Sequence, residues 1–225
     1  MNGYFVTGTD TDAGKTHVAC ALVRLAVARG HRVFAFKPIE TGCATGPSGE
    51  YIGTDQERLA VAAGDWQHGP LRGVYRFPLP AAPLVAAEAA HDTIDLALIE
   101  RTARDGAKQG GASLTIVEGA GGWRVPITLD ADMGDLARRL GLPVLIVARA
   151  RLGTINHTLL TIEAVERDGL SLAAIVLSQR EDDGPEAARS NLHQIQRRWQ
   201  GTCLLLRSDA SALEGLLPRL PAPST

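Results

Sequence analysis

The segment from Gly8 to Thr16 constrains the fold of this chain more than any other feature. It has the spacing Gly-x5-Gly-Lys-Thr, it follows the apolar run 4–7, and it precedes a stretch with helical periodicity. Successive backbone N–H groups of such a loop can surround a phosphate, and the start of the helix adds partial positive charge. Lys15 can reach the terminal phosphates, and the Thr16 hydroxyl can ligate magnesium. The segment therefore predicts a P-loop, a phosphate-binding loop at the strand–helix turn of an α/β domain.

Strand-like and helix-like runs alternate along the rest of the chain. We predict strands at 4–7, 32–36, 114–117, 144–147, 172–177 and 203–206, and helices at 15–29, 55–63, 93–108, 133–140, 155–167 and 185–199. Apolar strands that alternate with helices are typical of a mostly parallel sheet with helices on both faces. The glycine- and proline-rich stretches 39–54 and 64–83 are expected to be irregular. No change of composition divides the chain, so we expect one P-loop NTPase domain over residues 1–225.

Composition and charge narrow the range of partners. Apolar residues make up 45% of the chain, enough for a core without a disulfide or metal staple. The formal net charge is −2 and the cations are dispersed, so no basic face favours nucleic acid or a membrane surface. The three cysteines are far apart and lack zinc-binding spacing. No signal-peptide pattern or membrane-length apolar run is present, which leads us to expect a cytoplasmic protein.

The predicted strand ends gather a set of polar residues. Ligands bind beyond the carboxyl ends of parallel strands, and the first three strands end near Gly8, Lys37 and Glu118. Lys37 can neutralise a developing anion there, or it can be a solvated lysine. Glu118, before the predicted glycine turn 119–123, suits a magnesium ligand. Asp55 is either a second ligand or simply a helix N-cap.

Four motifs, taken together, point to a known family. The segments TGTDTDAGKT, KPIETG, EGAGGW and LGTINH, in this order and spacing, resemble the dethiobiotin synthetases of biotin synthesis. The resemblance covers about residues 4–177. It implies ATP-dependent carboxylation and ring closure of 7,8-diaminopelargonic acid with carbon dioxide, through a carbamate and a carbamic–phosphoric anhydride, to dethiobiotin, ADP and phosphate. It further implies Mg²⁺ as cofactor, ATP as co-substrate and a homodimer.

The resemblance also assigns site residues. It implies that Lys37 and Lys15 are catalytic, and that Thr16, Asp55 and Glu118 hold the metal. It places the nucleotide against the loop and the third strand, at Thr11, Asp12, Ala13, Gly14, Lys15, Thr16, His17, Asp55, Glu118, Gly119, Ala120 and Gly121. It places the diamine at Thr41 and, across the dimer interface, at Gly153, Thr154 and Asn156. Read without the resemblance, residues 153–157 would be a helix-capping turn.

The chain departs from the family pattern at three places. Ser178-Gln179-Arg180 stands where the family has an asparagine that contacts the base, and residues 204–207 lack its usual Gly-x-x-Pro turn. Ala82-Pro83-Leu84 replaces a common Ser-Pro-His. The phosphate end of the site is intact while the base end is altered. We therefore expect triphosphate binding with relaxed base selectivity.

Three other functions fit the phosphate-binding loop. A P-loop switch or partitioning ATPase would normally carry a second lysine five residues before Lys15, where this chain has Asp10. An amidating enzyme of the cobyrinic acid type would need a glutamine-hydrolysing domain, for which the chain is too short. A degenerate nucleotide binder would have little need for Lys15, Thr16, Lys37, Asp55 and Glu118 together.

Overall fold

A six-stranded, fully parallel sheet is the frame of the computed structural model, which describes residues 1–218. The strands are β1 (Gly3–Gly8), β2 (Val33–Phe36), β3 (Ile39–Thr41), β4 (Ala44–Thr45), β5 (Tyr51–Ile52), β6 (Tyr75–Phe77), β7 (Leu114–Gly122), β8 (Val144–Arg149), β9 (Leu172–Ser178) and β10 (Thr202–Leu206). The helices are α1 (Lys15–Ala28), α2 (Thr54–Ala62), α3 (Pro83–Ala89), α4 (Leu96–Gln109), α5 (Met133–Leu140), α6 (Thr154–Arg167) and α7 (Pro185–Gln196), with 3₁₀ turns at Gly69–Leu71 and Ala210–Leu216.

The central sheet has the strand order β10-β9-β8-β1-β7-β2, and its two faces carry separate apolar clusters. Neighbouring residues of β1 divide between them: Phe5 joins the cluster with α4 and α5, whereas Val6 joins the cluster with α1 and α2. Successive side chains of a strand point to opposite faces, so a strand buried on both faces must be apolar throughout. The predicted P-loop NTPase fold, a parallel sheet with helices on both faces, is confirmed.

The glycine-rich end of β7 differs from the prediction. The predicted strand stops at Glu118 and a turn follows, but β7 continues to Gly122. It continues because β1 beside it provides a partner up to Gly8, which pairs with Gly122 across an irregularity in the register. Gly121, at φ +66°, adopts a backbone conformation that favours glycine. Glu118 therefore lies within a strand and is fully buried.

The two stretches expected to be irregular contain regular elements. The prediction was wrong there because non-local partners form these elements. Strands β3 and β6 pair in parallel, with Glu40 opposite Arg76, and β4 and β5 form a small antiparallel hairpin. Helix α3 begins with Pro83 in its first turn, a position that proline tolerates. Residues 39–54 and 75–89 thus build one wall beside the end of β2.

Side chains occupy the outer edge of β2. The Gln67 side chain accepts a hydrogen bond from the Ala35 N–H at 3.0 Å and donates one to the Ala35 carbonyl at 2.7 Å. The Trp66 indole donates to the Val33 carbonyl at 3.0 Å. These bonds fasten the segment after α2 to the sheet.

The predicted domain extends to Thr225, and its last seven residues, 219–225, lie outside the described part of the chain. Within residues 1–218, no helix is both long and apolar enough to cross a membrane.

Candidate nucleotide-binding and catalytic site

The turn between β1 and α1 is shaped to hold an anion. Asp12 and Gly14 have φ values of +60° and +97°, and Gly14 directly precedes the first residue of α1. Within the described chain no side chain caps this helix, so its first N–H groups remain available to a phosphate. A Cβ atom at Gly14 would lie 2.7 Å from Ser178 Oγ, so only glycine fits there. The Lys15 ammonium donates to the Asp10 carbonyl at 3.2 Å, along the inside of the loop.

Three elements bring an ion network to the mouth of the sheet. Lys37, next to the end of β2, donates to Asp55 Oδ2 at 2.7 Å and to Glu118 Oε1 at 2.9 Å. Thr16, in the first turn of α1, donates its hydroxyl to the same Glu118 oxygen at 2.7 Å. Lys37 and Glu118 are buried, while Asp55 is partly exposed. Lys37 and Glu118, two of the three residues predicted to meet at the strand ends, therefore lie in one network with Thr16 of the phosphate loop.

The environment fixes the charges of this network. Burial opposes the charge of Lys37, but Glu118 and Asp55 outweigh that effect and hold the pKa of Lys37 above its ordinary value. Burial also opposes the charge of Asp55, yet Lys37 keeps the pKa of Asp55 below its ordinary value. For Lys15 burial dominates over the attraction of Glu118, so the pKa of Lys15 is lowered. Lys37 is thus a permanent cation at neutral pH.

A cavity of about 910 Å³ opens over these residues. The loop residues Thr11, Asp12, Gly14, Lys15, Thr16 and His17 line it, together with Lys37, Thr41, Asp55, Glu118, Ala120 and Gly121. Two of the predicted nucleotide-binding residues lie elsewhere. Ala13 lines a smaller pocket behind the loop, and Gly119 is buried, where an added Cβ would meet the Phe5 ring at 3.1 Å. The cavity is large enough for a nucleotide with a second small substrate.

The donor set at the base of the cavity fits magnesium. Glu118 Oε2 is buried and has no hydrogen-bond partner among residues 1–218, and the Thr16 hydroxyl and the Asp55 carboxylate lie in the same network. Magnesium takes one or two carboxylates and a hydroxyl, and it keeps several waters. An orphaned, buried carboxylate oxygen is costly unless a cation or water completes it. These three residues could therefore hold a magnesium ion.

The far end of the cavity is lined by the segments that depart from the family pattern. Ser178 at the end of β9 lies against Gly14, and Gln179, Arg180 and Arg207 follow along the rim. Gln179 already makes two hydrogen bonds, because its Oε1 accepts from Arg207 at 2.9 Å and its Nε2 donates to the Asp183 carbonyl at 3.1 Å. The asparagine of the family pattern is thus replaced by Ser178 and by a glutamine whose amide is held by these two bonds.

The diamine-binding candidates fall into two groups. Thr41, the last residue of β3, lies on the wall of the large cavity. Gly153 precedes α6, and Asn156 is exposed in its first turn. Thr154 lines the smaller pocket behind the loop and has a buried hydroxyl without a partner in the described chain. Within one chain, then, Thr154 lines a different pocket from Lys37, although Thr11 and Asp12 line both pockets, and Gly153 and Asn156 line neither.

Sequence reasoning missed several cavity residues. Glu40, Arg58, Arg180 and Arg207 line the cavity, and Gln56 lies beneath its wall. Arg180 and Arg207 closely follow the ends of β9 and β10, so the rule that singled out Lys37 could have found them. Glu40 gave no comparable signal, because its stretch 39–54 lacked a predicted strand, and nothing in the predicted helix 55–63 distinguished Gln56.

The fold and the loop define a P-loop nucleotide-binding protein. Residues 2–207 match the family model described as AAA domain. The solved structures with similar folds include the signal recognition particle receptor FtsY from Elizabethkingia anophelis, with a TM-score of 0.56 at 12% identity over 95% of this chain and 61% of that one. Chloroplast FtsY from Physcomitrella patens gives a TM-score of 0.55 at 13% identity over 96% and 65%. At such identity the likeness concerns the fold alone.

Several curated proteins are much more similar to this chain in sequence than the two FtsY structures are. The ATP-dependent dethiobiotin synthetase BioD of Anaeromyxobacter dehalogenans strain 2CP-C is 46% identical over 88% of this chain and 85% of its own length. The enzyme of the same name from Chromohalobacter salexigens is 38% identical over 99% and 92%. The chain belongs to the family of ATP-dependent dethiobiotin synthetases. It is an ATP-dependent ligase of biotin synthesis.

Proposed function

We propose that this chain carboxylates 7,8-diaminopelargonic acid and closes the ring to dethiobiotin, at the expense of ATP. One amine adds to carbon dioxide and loses a proton, which gives a carbamate. A carbamate oxygen attacks the γ-phosphorus and releases ADP, which leaves a carbamic–phosphoric anhydride. The second amine then attacks the carbamate carbon, loses a proton and expels phosphate. The observation that carries this proposal is the buried Lys37 cation beside Lys15 and Thr16 in one cavity.

The residues contribute charge and position to this reaction. Phosphoryl transfer needs little covalent help from a protein and depends on placement and charge compensation. The loop amides and Lys15 bind the triphosphate, while Lys37 lies where carbamate and γ-phosphate meet and stabilises the negative charge of both. Thr41, on the adjoining wall, donates a hydrogen bond to the diamine. Because Lys37 stays protonated, it acts as an electrostatic group and not as a base.

Magnesium completes the proposed site. Thr16, Asp55 and Glu118 would hold the ion, which would neutralise charge on the β- and γ-phosphates. Glu118 Oε2, which has no partner in the described chain, would be the oxygen offered to the ion, while Oε1 accepts from Lys37 and from the Thr16 hydroxyl. Lys37 would neutralise both the acids of the site and the anions of the substrates.

A homodimer is part of the proposal. Gly153, Thr154 and Asn156 do not line the cavity of Lys37 in their own chain, and we propose that a second copy brings them to the diamine's carboxylate. The start of α6 can bind a carboxylate through its free N–H groups. Leu152 is 97% exposed just before this helix and Leu160 is 56% exposed on it. Exposed leucines beside the proposed subsite favour a protein surface that covers them.

Steady-state phosphate release tests the reaction. We expect release from ATP that requires both diaminopelargonic acid and bicarbonate, with dethiobiotin as product by mass spectrometry. Omission of either substrate serves as the control. Release that instead requires a protein or DNA partner would support a switch ATPase and would overturn the proposal.

Relaxed base selectivity follows from the far end of the cavity. The Gln179 amide is held by Arg207 and Asp183, and Ser178 has a single short hydroxyl, so the base-contacting asparagine of the family pattern has no direct replacement. We expect kcat/KM values for ATP, GTP and CTP within about tenfold of each other, since each missing discriminating hydrogen bond is worth about that factor. A strong preference for ATP in the same assay would contradict this prediction.

A further inference from the structure

A buried glutamine connects the two ends of the catalytic ion pair through the backbone. Gln56 follows Asp55 on α2, and its side chain is fully buried. Its amide nitrogen donates to the Lys37 carbonyl at 3.0 Å and to the Tyr75 carbonyl at 3.2 Å. The backbone of Lys37 is thereby bonded to the residue that follows Asp55. The side chains of Lys37 and Asp55 themselves form an ion pair, with 2.7 Å between Nζ and Oδ2.

A buried glutamate supports the same turn from the other side. Glu40 lies in β3, only 7% exposed. Its two oxygens accept the N–H groups of Asp55 and Gln56, each at 2.9 Å. These are amides of the first turn of α2, and Gly53 before the helix has no side chain with which to cap them. Glu40 therefore supplies the cap from a different segment, and its negative charge suits a helix start.

The surrounding backbone leaves room for these two side chains. A Cβ atom at Gly73 would lie 2.0 Å from the Gln56 amide nitrogen, and one at Gly53 would lie 2.7 Å from the Gln56 amide oxygen and 2.8 Å from Glu40 Oε2. Two glycines thus permit close approach from opposite sides. A side chain held so closely has little freedom to change rotamer.

We infer that Gln56 and Glu40 are positioning residues that hold Lys37 and Asp55 in their reactive arrangement. The inference rests on the proposed roles of Lys37 and Asp55. Glu40 fixes the amide of Asp55, Gln56 fixes the carbonyl of Lys37, and the covalent link between residues 55 and 56 joins the two restraints. A displacement of about an ångström at a reacting centre lowers turnover far more than it lowers binding. The two residues thus act on kcat through Lys37 and Asp55.

The chain offers a matched control for Gln56. Gln67 is also fully buried and also donates to two backbone carbonyls, those of Ala35 and Leu71, but it does not contact Lys37 or Asp55. In each case Gln→Met keeps the side-chain length and removes the donor. Both variants should lose thermal stability, because each leaves two buried carbonyls without a partner, and Gln67→Met should lose more, because it also removes the acceptor of the Ala35 N–H.

The two variants should differ in catalysis. We expect Gln56→Met to lower kcat about tenfold while the Kd for ATP stays within about twofold, because the loop residues are untouched. Gln67→Met should keep kcat within about twofold of the unaltered protein. Equal loss of kcat in both variants, or parental kcat in Gln56→Met, would overturn the inference.

A second variant decides the question if Gln56→Met does not fold. Glu40→Gln replaces one acceptor oxygen by an NH₂ group, so one amide of residues 55 and 56 loses its partner. We expect faster hydrogen exchange at the amide that loses its partner and a fall in kcat with an unchanged Kd for ATP. Faster exchange with unchanged kcat would refute the positioning role. The unaltered protein separates the two proposals. If it makes no product from diamine and bicarbonate, the proposed function is wrong. If it is active and the Glu40→Gln or Gln56→Met variant is equally active, only the positioning inference is wrong.

Discussion

Lys37 is a cation that the fold both buries and pairs. A buried lysine ammonium without partners would tend to lose its proton, but the two carboxylates beside Lys37 keep it charged. The resting protein therefore holds a positive group near the place where negative charge would develop. That group is already desolvated, so its interactions with the substrates would be stronger than in water.

Replacement of Lys37 should separate binding from turnover. We expect Lys37→Ala to lower kcat by about 10²–10³-fold, the usual cost of one electrostatic donor to a transition state. ATP should still bind, because Lys15 and the loop amides remain. Calorimetric titration of ATP and steady-state phosphate release would measure the two effects.

Lys108 provides the control for that substitution. It is the one further lysine of the chain and is exposed on α4. Lys108→Ala should change neither kcat nor the affinity for ATP. A Lys37→Ala protein with full activity would remove Lys37 from the mechanism.

Asp55 should make stability depend on pH in the acid range. Its pKa is lower in the folded state than its ordinary value of 3.8, so it binds fewer protons when folded. Such a group adds stability above its unfolded pKa, and the contribution is lost as the pH falls through the folded pKa. In urea unfolding between pH 7 and pH 2, the free energy of unfolding should thus fall less steeply with decreasing pH for Asp55→Asn than for the parent. Asp105→Asn, at an exposed position on α4, is the control. The same decrease in the free energy of unfolding at low pH in the parent and in Asp55→Asn would contradict this prediction.

At the scale of elements, local patterns predicted the parts of the structure that are locally encoded. The six sheet strands and the phosphate loop were found from apolar runs and from glycine spacing. The pairs β3–β6 and β4–β5 were missed, since their strands are two or three residues long and depend on partners distant in sequence. Glu40 was missed for the same reason, because it can bind the start of α2 only when the fold brings β3 beside that helix. The pairing of Lys37 with two acids also needed the folded backbone, because the three residues are far apart in the chain.

The start of α1 gives a test of the loop's geometry. Gly14→Ala adds a methyl group 2.7 Å from Ser178 Oγ at a residue with φ +97°. Gly141, the C-cap of α5, has φ +65° and nothing within 4 Å of the added atom, so Gly141→Ala carries backbone strain without a clash. We expect Gly141→Ala to cost about 1–2 kcal/mol in free energy of unfolding and Gly14→Ala to cost more. Only Gly14→Ala should weaken ATP binding. Equal costs and equal affinities would show that the close approach to Ser178 has no effect.

At the scale of the whole molecule, the question is whether one chain holds a complete active site. Lys37 lines the large cavity, whereas Thr154 lines the pocket behind the phosphate loop. In a twofold dimer each interface residue of one copy faces the other copy, so each site could combine Lys37 of one chain with Asn156 of its partner. The proposed dimer would then be required for activity and not only for stability.

Complementation between two inactive variants tests this arrangement. Lys37→Ala and Asn156→Ala should each be nearly inactive alone, yet an equimolar mixture after subunit exchange should regain roughly a quarter of the parental activity, because half the dimers then carry one intact site. A protein with both substitutions, mixed with either single variant, should regain none. If the first mixture also stays inactive, Lys37 and Asn156 serve the same protomer's site or no common site.

The side chains along β2 have a consequence for the behaviour of the chain in concentrated solution. A parallel sheet ends in strands with free hydrogen-bonding groups, and such strands invite a foreign strand to add on. On β2 the Trp66 indole binds the outward carbonyl of Val33, and the Gln67 amide binds both the N–H and the carbonyl of Ala35, as a neighbouring strand would. The sheet is thereby closed to growth on this side, and loss of Gln67 would expose a template for aggregation.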